Sequence, residues 1–189
     1  PAATVPEGDG VEVLRGPAGA LVGYMEKSRD IPTATSFRTI SVQAMDARRR
    51  ELNIALSAAG RAEKVSFTHL IAFAIARSAA EMPAMAAYFG RTAEAKPARV
   101  QSGIHLGLAV DSRRKDGTRF LVVPVIRNAD ALDFNAFREE YERLIDRART
   151  STLSADELQG ATLTLTNPGG IGTVMSVPRL MPSQGVIIA

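Results

Sequence analysis

Ala161–Gly185, ATLTLTNPGGIGTVMSVPRLMPSQG, is the stretch on which the fold turns. Thr162, Thr164 and Thr166 alternate with Leu163 and Leu165, the period-2 pattern of a strand with one hydroxyl-bearing and one apolar face. Asn167-Pro168 ends the strand, because proline has no N–H to give a ladder. Gly169, Gly170 and Gly172 then allow a tight turn or a close approach to a ligand. Two readings stand here. Hydroxyls aimed at such a loop can donate to a developing oxyanion. The plainer reading is a turn after a strand whose threonines serve only strand propensity.

Upstream, Ser154 and Glu157 have capping-box spacing for a short helix, with Leu153 and Leu158 placed as its staple. A longer helix is predicted from Asp133, with Phe134, Phe137, Tyr141, Leu144, Ile145 and Ala148 on its buried face. Its acids, Glu139 and Glu140, come early and its bases, Arg143, Arg147 and Arg149, late, which suits the helix dipole. Residues 103–110 and 120–127 read as two strands joined by a basic loop with a turn at Asp116-Gly117.

Ser66 is the expected N-cap of a helix, FTHLIAFAIARSAAEM, apolar around most of its circumference and so predicted to be buried. A further helix is expected over 45–59, stopped by Gly60, and a strand over the β-branched run 33–42. Residues 11–28 can hold a short helix. Residues 1–10, PAATVPEGDG, read as the tail of a linker, leaving 11–189 as one domain. The chain stops at Ala189 inside GVIIA, which reads as a core strand, so a piece of something longer is expected. Mixed strands and helices without a regular βαβ rhythm predict an α+β sandwich of sheet and helices.

Composition narrows the chemistry. There are no cysteines, which excludes a disulfide framework and thiolate zinc sites. The formal charge of +3 is spread among acids, giving little support to nucleic-acid binding, and no apolar run is long enough to span a membrane. His69 and His105 are the only histidines, and neither has a metal-ligand partner at helical spacing; both read as structural, and no metal site is expected. Asp111 and Asp116 read as solvated turn acids and Arg48-Arg49-Arg50 as the wet side of a helix. GGIG lacks a phosphate-loop lysine and is not expected to open a helix.

Taken in order, LRGPAGALVGYMEKS (14–28), IPTATSFRTISV (31–42), KVSFTHLIAFAIA (64–76), HLGLAVDSRRKDGTRFLVVPVI (105–126) and TLTLTNPGGIGTVMSVPRLMPSQG (162–185) resemble a known family. That family is the acyltransferase catalytic domain of 2-oxo acid dehydrogenase complexes. SFTHL, DSRRKDGTRFLVV and the 166–185 loop are most similar to the branch fused within actinobacterial 2-oxoglutarate decarboxylase/dehydrogenase proteins. The resemblance implies a chloramphenicol acetyltransferase-like α+β fold, here incomplete at its C-terminus, assembled as a homotrimer with sites between subunits.

The implied reaction moves a succinyl (acyl) group between dihydrolipoyl-lysine and coenzyme A. Both are substrates, the lipoyl arm belongs to another domain, and no cofactor is bound permanently. Implied partners are the thiamine-dependent 2-oxoglutarate dehydrogenase/decarboxylase domain, the lipoyl domain and dihydrolipoamide dehydrogenase, in the cytoplasm. Matching the strand-loop motif residue by residue gives Thr166 the oxyanion-stabilising role. Asn167, Gly169, Gly170, Met175 and Ser176 then fall along the acyl or pantetheine channel. The family's general base is a histidine in an Asp-His-Arg motif, expected past Ala189. Without it the rate should fall on the order of 10²–10⁴-fold. The alternative is a non-catalytic trimerisation scaffold for fused or partner catalytic domains. An antibiotic acetyltransferase of the chloramphenicol type is the weaker third.

Overall fold

β6 (Leu163–Thr166) runs between two parallel neighbours, β3 (Leu106–Arg113) and β7 (Val186–Ile188). A strand flanked on both sides, with layers on both faces, is buried all round. Leu163, Thr164 and Leu165 are indeed all buried. The computed structural model describes residues 8, 10–11, 13–113, 117 and 119–189. The expected linker tail therefore lies almost wholly outside the described residues, as does Asp116 of the expected turn; Gly117 beside it has φ +88°.

The chain order is α1 (Gly16–Ser28), α2 (Gln43–Ala58), α3 (Phe67–Glu81), the hairpin strands β1 (Ala87–Arg91) and β2 (Pro97–Gln101), then β3. β4 (Arg119–Val122), β5 (Val125–Ile126) and α4 (Phe134–Arg149) follow, ahead of β6 and β7. The main sheet has the order β4-β3-β6-β7, with β5 also pairing β3. β4 and β5 are the two halves of the single strand expected over 120–127. Pro124 divides them: it has no N–H, but its carbonyl accepts from Leu108 N–H at 2.8 Å.

α4 covers the sheet. Asp133 caps it, its carboxylate accepting from Ala136 N–H at 2.8 Å. Phe137, Leu144, Ile145 and Ala148 are buried against Leu106, Leu108, Ile126, Leu163 and Leu165. The predicted face is the observed one. α3 begins at the predicted cap, Ser66, but buries a narrower stripe than its composition suggests: His69, Ala72, Ala76 and Ala79. The small alanines form its contact face, while Ile71 is exposed.

Residues 33–42 form no strand, contrary to the sequence expectation. β-branched side chains suit a ladder only where an edge is there to pair with, and none of the sheets reaches this run. Phe37 and Ile40 stand exposed instead. The β1–β2 hairpin, in contrast, has no strong β signature in its sequence, AYFGR and PARVQ, yet pairs through five registered positions.

Candidate active site

The three alternating threonines are put to different uses. Thr162 Oγ1 donates to Gly103 C=O at 2.8 Å and accepts from His105 N–H at 3.0 Å. Thr164 Oγ1 donates to the buried side chain of Gln184 at 2.8 Å. Glycine at 107 makes room for it, since a Cβ there would lie 2.8 Å from Thr164 Oγ1. Thr166, opposite Ala109 at the end of the ladder, is half-buried, and its hydroxyl makes no hydrogen bond among the described residues. The hydroxyl face of the strand is thus sealed at one end and available at the other.

Asn167 turns the chain after Thr166. Its Oδ1 accepts from Gly169 N–H at 3.2 Å, and its Nδ2 donates to Thr68 Oγ1 at 3.1 Å. Pro168–Ile171 is one 3-10 turn, and no helix follows the glycines, as the sequence reading expected. Gly172 ends that turn at φ +82°, a left-handed conformation that favours glycine. A Cβ on Gly170 would meet open space, whereas one on Gly169 would lie 3.1 Å from Asn167 Oδ1.

Met175 and Ser176 sit farther along. No hydrogen bond ties residues 173–180 to the described chain, and Val174, Met175 and Val177 are exposed. The structure therefore joins Asn167 and Gly169 directly behind Thr166, and shows no bond from Met175 or Ser176 to any of them. Among the arginines, Arg119 is engaged by Asp111, Arg38 bonds the carbonyl of Phe37, and Arg179 makes no ion pair among the described residues.

On the helix side of the strand lies a cavity of about 410 Å³, bounded by Leu165 and Asn167, Ser66 and Thr68 of the α3 start, and Tyr141 and Glu142 of α4. Strand alternation puts Leu165 and Asn167 on this side and Thr166 on the other. Thr68 and Glu142 carried no signal in the sequence. His69 borders this region and is buried, and both its nitrogens are occupied. Nδ1 accepts from Ser66 N–H at 3.3 Å, and Nε2 donates to Glu142 Oε1 at 2.9 Å. Burial pushes its pKa below the ordinary value, against the opposing pull of Glu142. His105 is likewise lowered by burial, and its Nδ1 accepts from Asn128 N–H at 3.0 Å. Neither is poised to take a proton from a thiol. Among the described residues no three His, Asp or Glu side chains converge as a metal site would require, and no helix is long and apolar enough to cross a membrane.

A mixed sheet backed by helices thus carries a strand-end hydroxyl beside a glycine turn. Residues 11–189 match the family model for the 2-oxoacid dehydrogenases acyltransferase (catalytic domain), and the chain belongs to that family. It is 44% identical over 187 residues to the multifunctional 2-oxoglutarate metabolism enzyme of Mycolicibacterium vanbaalenii, covering 98% of this chain and 15% of that one. The enzyme of the same description from Mycobacterium sp. (strain JLS) is 44% identical over 182 residues, with 96% and 14% covered. The chain thus spans about one-seventh of the length of these relatives.

Among solved structures, Azotobacter vinelandii dihydrolipoamide acetyltransferase superposes with a TM-score of 0.76 at 26% identity, over 97% of this chain and 75% of that one. The truncated catalytic core of the 2-oxoacid dehydrogenase multienzyme complex from Thermoplasma acidophilum gives 0.75 at 27%, over 93% and 77%. The α+β fold implied by the sequence resemblance is the observed one, and the chain is a catalytic domain of the dihydrolipoamide acyltransferase type.

Proposed function

We propose that this domain transfers a succinyl group between a dihydrolipoyl-lysine arm and coenzyme A, and that Thr166 Oγ1 donates to the oxyanion of the tetrahedral intermediate. The observation that carries the reading is the unsatisfied hydroxyl of Thr166, at the end of a strand whose other two threonines are fully engaged. Thiolate attack on the acyl carbonyl shifts negative charge to the carbonyl oxygen, and a preset O–H donor stabilises that charge without reorganising. Asn167 and Gly169 hold the turn that follows, while Gly170, Met175 and Ser176 line the approach. The general base that takes the thiol proton is not His69, whose two ring nitrogens are both engaged, nor His105, whose Nδ1 lone pair already accepts from Asn128 N–H. An Asp-His-Arg histidine, contributed by another segment of the natural protein or by a neighbouring subunit, fills that role.

The likeness to the mycobacterial 2-oxoglutarate metabolism enzymes supports the 2-oxoglutarate setting, and the same reading takes the domain as a cytoplasmic trimer served by thiamine-dependent, lipoyl and dihydrolipoamide dehydrogenase partners. Replacing Thr166 by Ala in the full natural chain should abolish most succinyl transfer to coenzyme A while leaving assembly intact. Unchanged turnover would remove Thr166 from the mechanism. The scaffold alternative draws on the exposed Val174, Met175 and Val177, which suit a subunit contact. It predicts oligomers that show no transfer with any acyl-dihydrolipoamide.

A further inference from the structure

We propose that His69 is a positioning residue for the Thr166 loop, acting through Thr68 and Asn167; the inference rests on the assignment of Thr166 above. The imidazole is 2% exposed and is held from two helices. Within α3 it forms a reciprocal capping box with Ser66: its own N–H donates to Ser66 Oγ at 3.1 Å, and its Nδ1 accepts from Ser66 N–H. From α4, Glu142 accepts from Nε2, and the ring of Tyr141 meets the imidazole edge-on at 4.6 Å. A rigid ring with an acceptor at one end and a donor at the other fixes the first turn of α3 relative to α4.

Thr68 belongs to that same turn. Its hydroxyl oxygen accepts the amide N–H of Asn167 across 99 residues of sequence. This is the one side-chain hydrogen bond that joins the segment 166–172 to the helices among the described residues. Asn167 Oδ1 then holds Gly169 N–H, closing the turn that starts directly after Thr166. The line of contacts runs from α4 through His69 and Thr68 to Asn167, so a slack α3 start leaves the Thr166 hydroxyl less well aimed. An apolar residue at 69 would fill the same space but leave that line broken.

The test uses the full natural chain and measures coenzyme A-dependent acyl transfer from succinyl-dihydrolipoamide, with T68V, T68S, H69L and T166A beside the parent. T68V and H69L should each lower kcat roughly 10- to 100-fold, the scale of a misplacement near 1 Å, with KM within about twofold. T68S, which keeps the acceptor, should restore the parental rate. The T68V/H69L double variant should be no slower than the slower single one, because both break one line. Parental kcat in T68V, or an effect confined to KM, alongside an inactive T166A overturns the positioning role and leaves Thr166 in place. A fully active T166A overturns the assignment of Thr166 and this inference with it. H69L folds less well if its capping box is essential, and T68V then decides alone.

Discussion

Thr162 and Thr164 share a residue type and a sheet face with Thr166, yet they behave as parts of the core and it does not. The first two sit where the chain is covered on every side, and each hydroxyl has a partner within 3.0 Å. A buried hydroxyl left without one would cost about 1–3 kcal/mol, so their bonds are a condition of burial. Thr166 lies where the ladder ends and the glycine turn begins, and its hydroxyl makes no internal bond. The lesson is that position along a strand, rather than residue type, separates a hydroxyl bound into the core from one left available.

The largest way to break the comparison is T166A. Losing one oxyanion donor should lower kcat about 10²–10³-fold, equivalent to about 2.7–4 kcal/mol, with an unchanged thermal midpoint. A variant that lost stability instead would place Thr166 with its two neighbours. Next comes G185A. A Cβ there would lie 2.2 Å from Met85 C=O and 2.6 Å from Ala87 C=O, so backbone must move. Because Gly185 N–H bonds Thr162 C=O, the displacement reaches the sealed end of the strand. A loss of about 1–3 kcal/mol in a denaturant titration is expected.

T164V should be smaller and opposite in kind to T166A. It strips the buried Gln184 oxygen of its donor, costing about 1–2 kcal/mol in the same titration. Transfer activity should persist in the folded fraction. The smallest effect concerns His69. Its folded pKa is depressed below 6.5, so its contribution to stability is present above that value and lost as pH falls through the folded pKa. Thermal midpoints taken downward from pH 7 should therefore fall less steeply in H69Q than in the parent. His105, depressed in the same direction, is common to both and cancels.

Much of this was legible in the sequence because it was local. Asp133 and Ser66 announced the starts of α4 and α3, and the apolar spacing of α4 named its buried face. Asn167-Pro168 and the glycines marked the site turn for the same reason: backbone chemistry acts over a few residues. Residues 33–42 misled because β propensity says nothing about whether an edge is within reach. β1 and β2 were silent for the converse reason, since pairing with each other outweighs their weak individual preference. The tie from Asn167 to Thr68 spans 99 residues, and no pattern in the chain announces it. His69 read rightly as structural, but its partner Glu142 looked like any exposed helix acid.

The parallel pairing of β6 on both sides sets an order in time. β1 with β2, and β3 with β4, are antiparallel neighbours that can zip from a turn. β6 cannot: β3 and β7 reach it only after long excursions, one of which contains α4. Loop closure must be met before such contacts form, so the strand that carries Thr166 joins late. A chain caught midway should hold its helices and hairpins while lacking any aimed hydroxyl. In refolding, far-UV circular dichroism should accordingly recover ahead of acyl transfer, and simultaneous recovery of the two would show that β6 docks early.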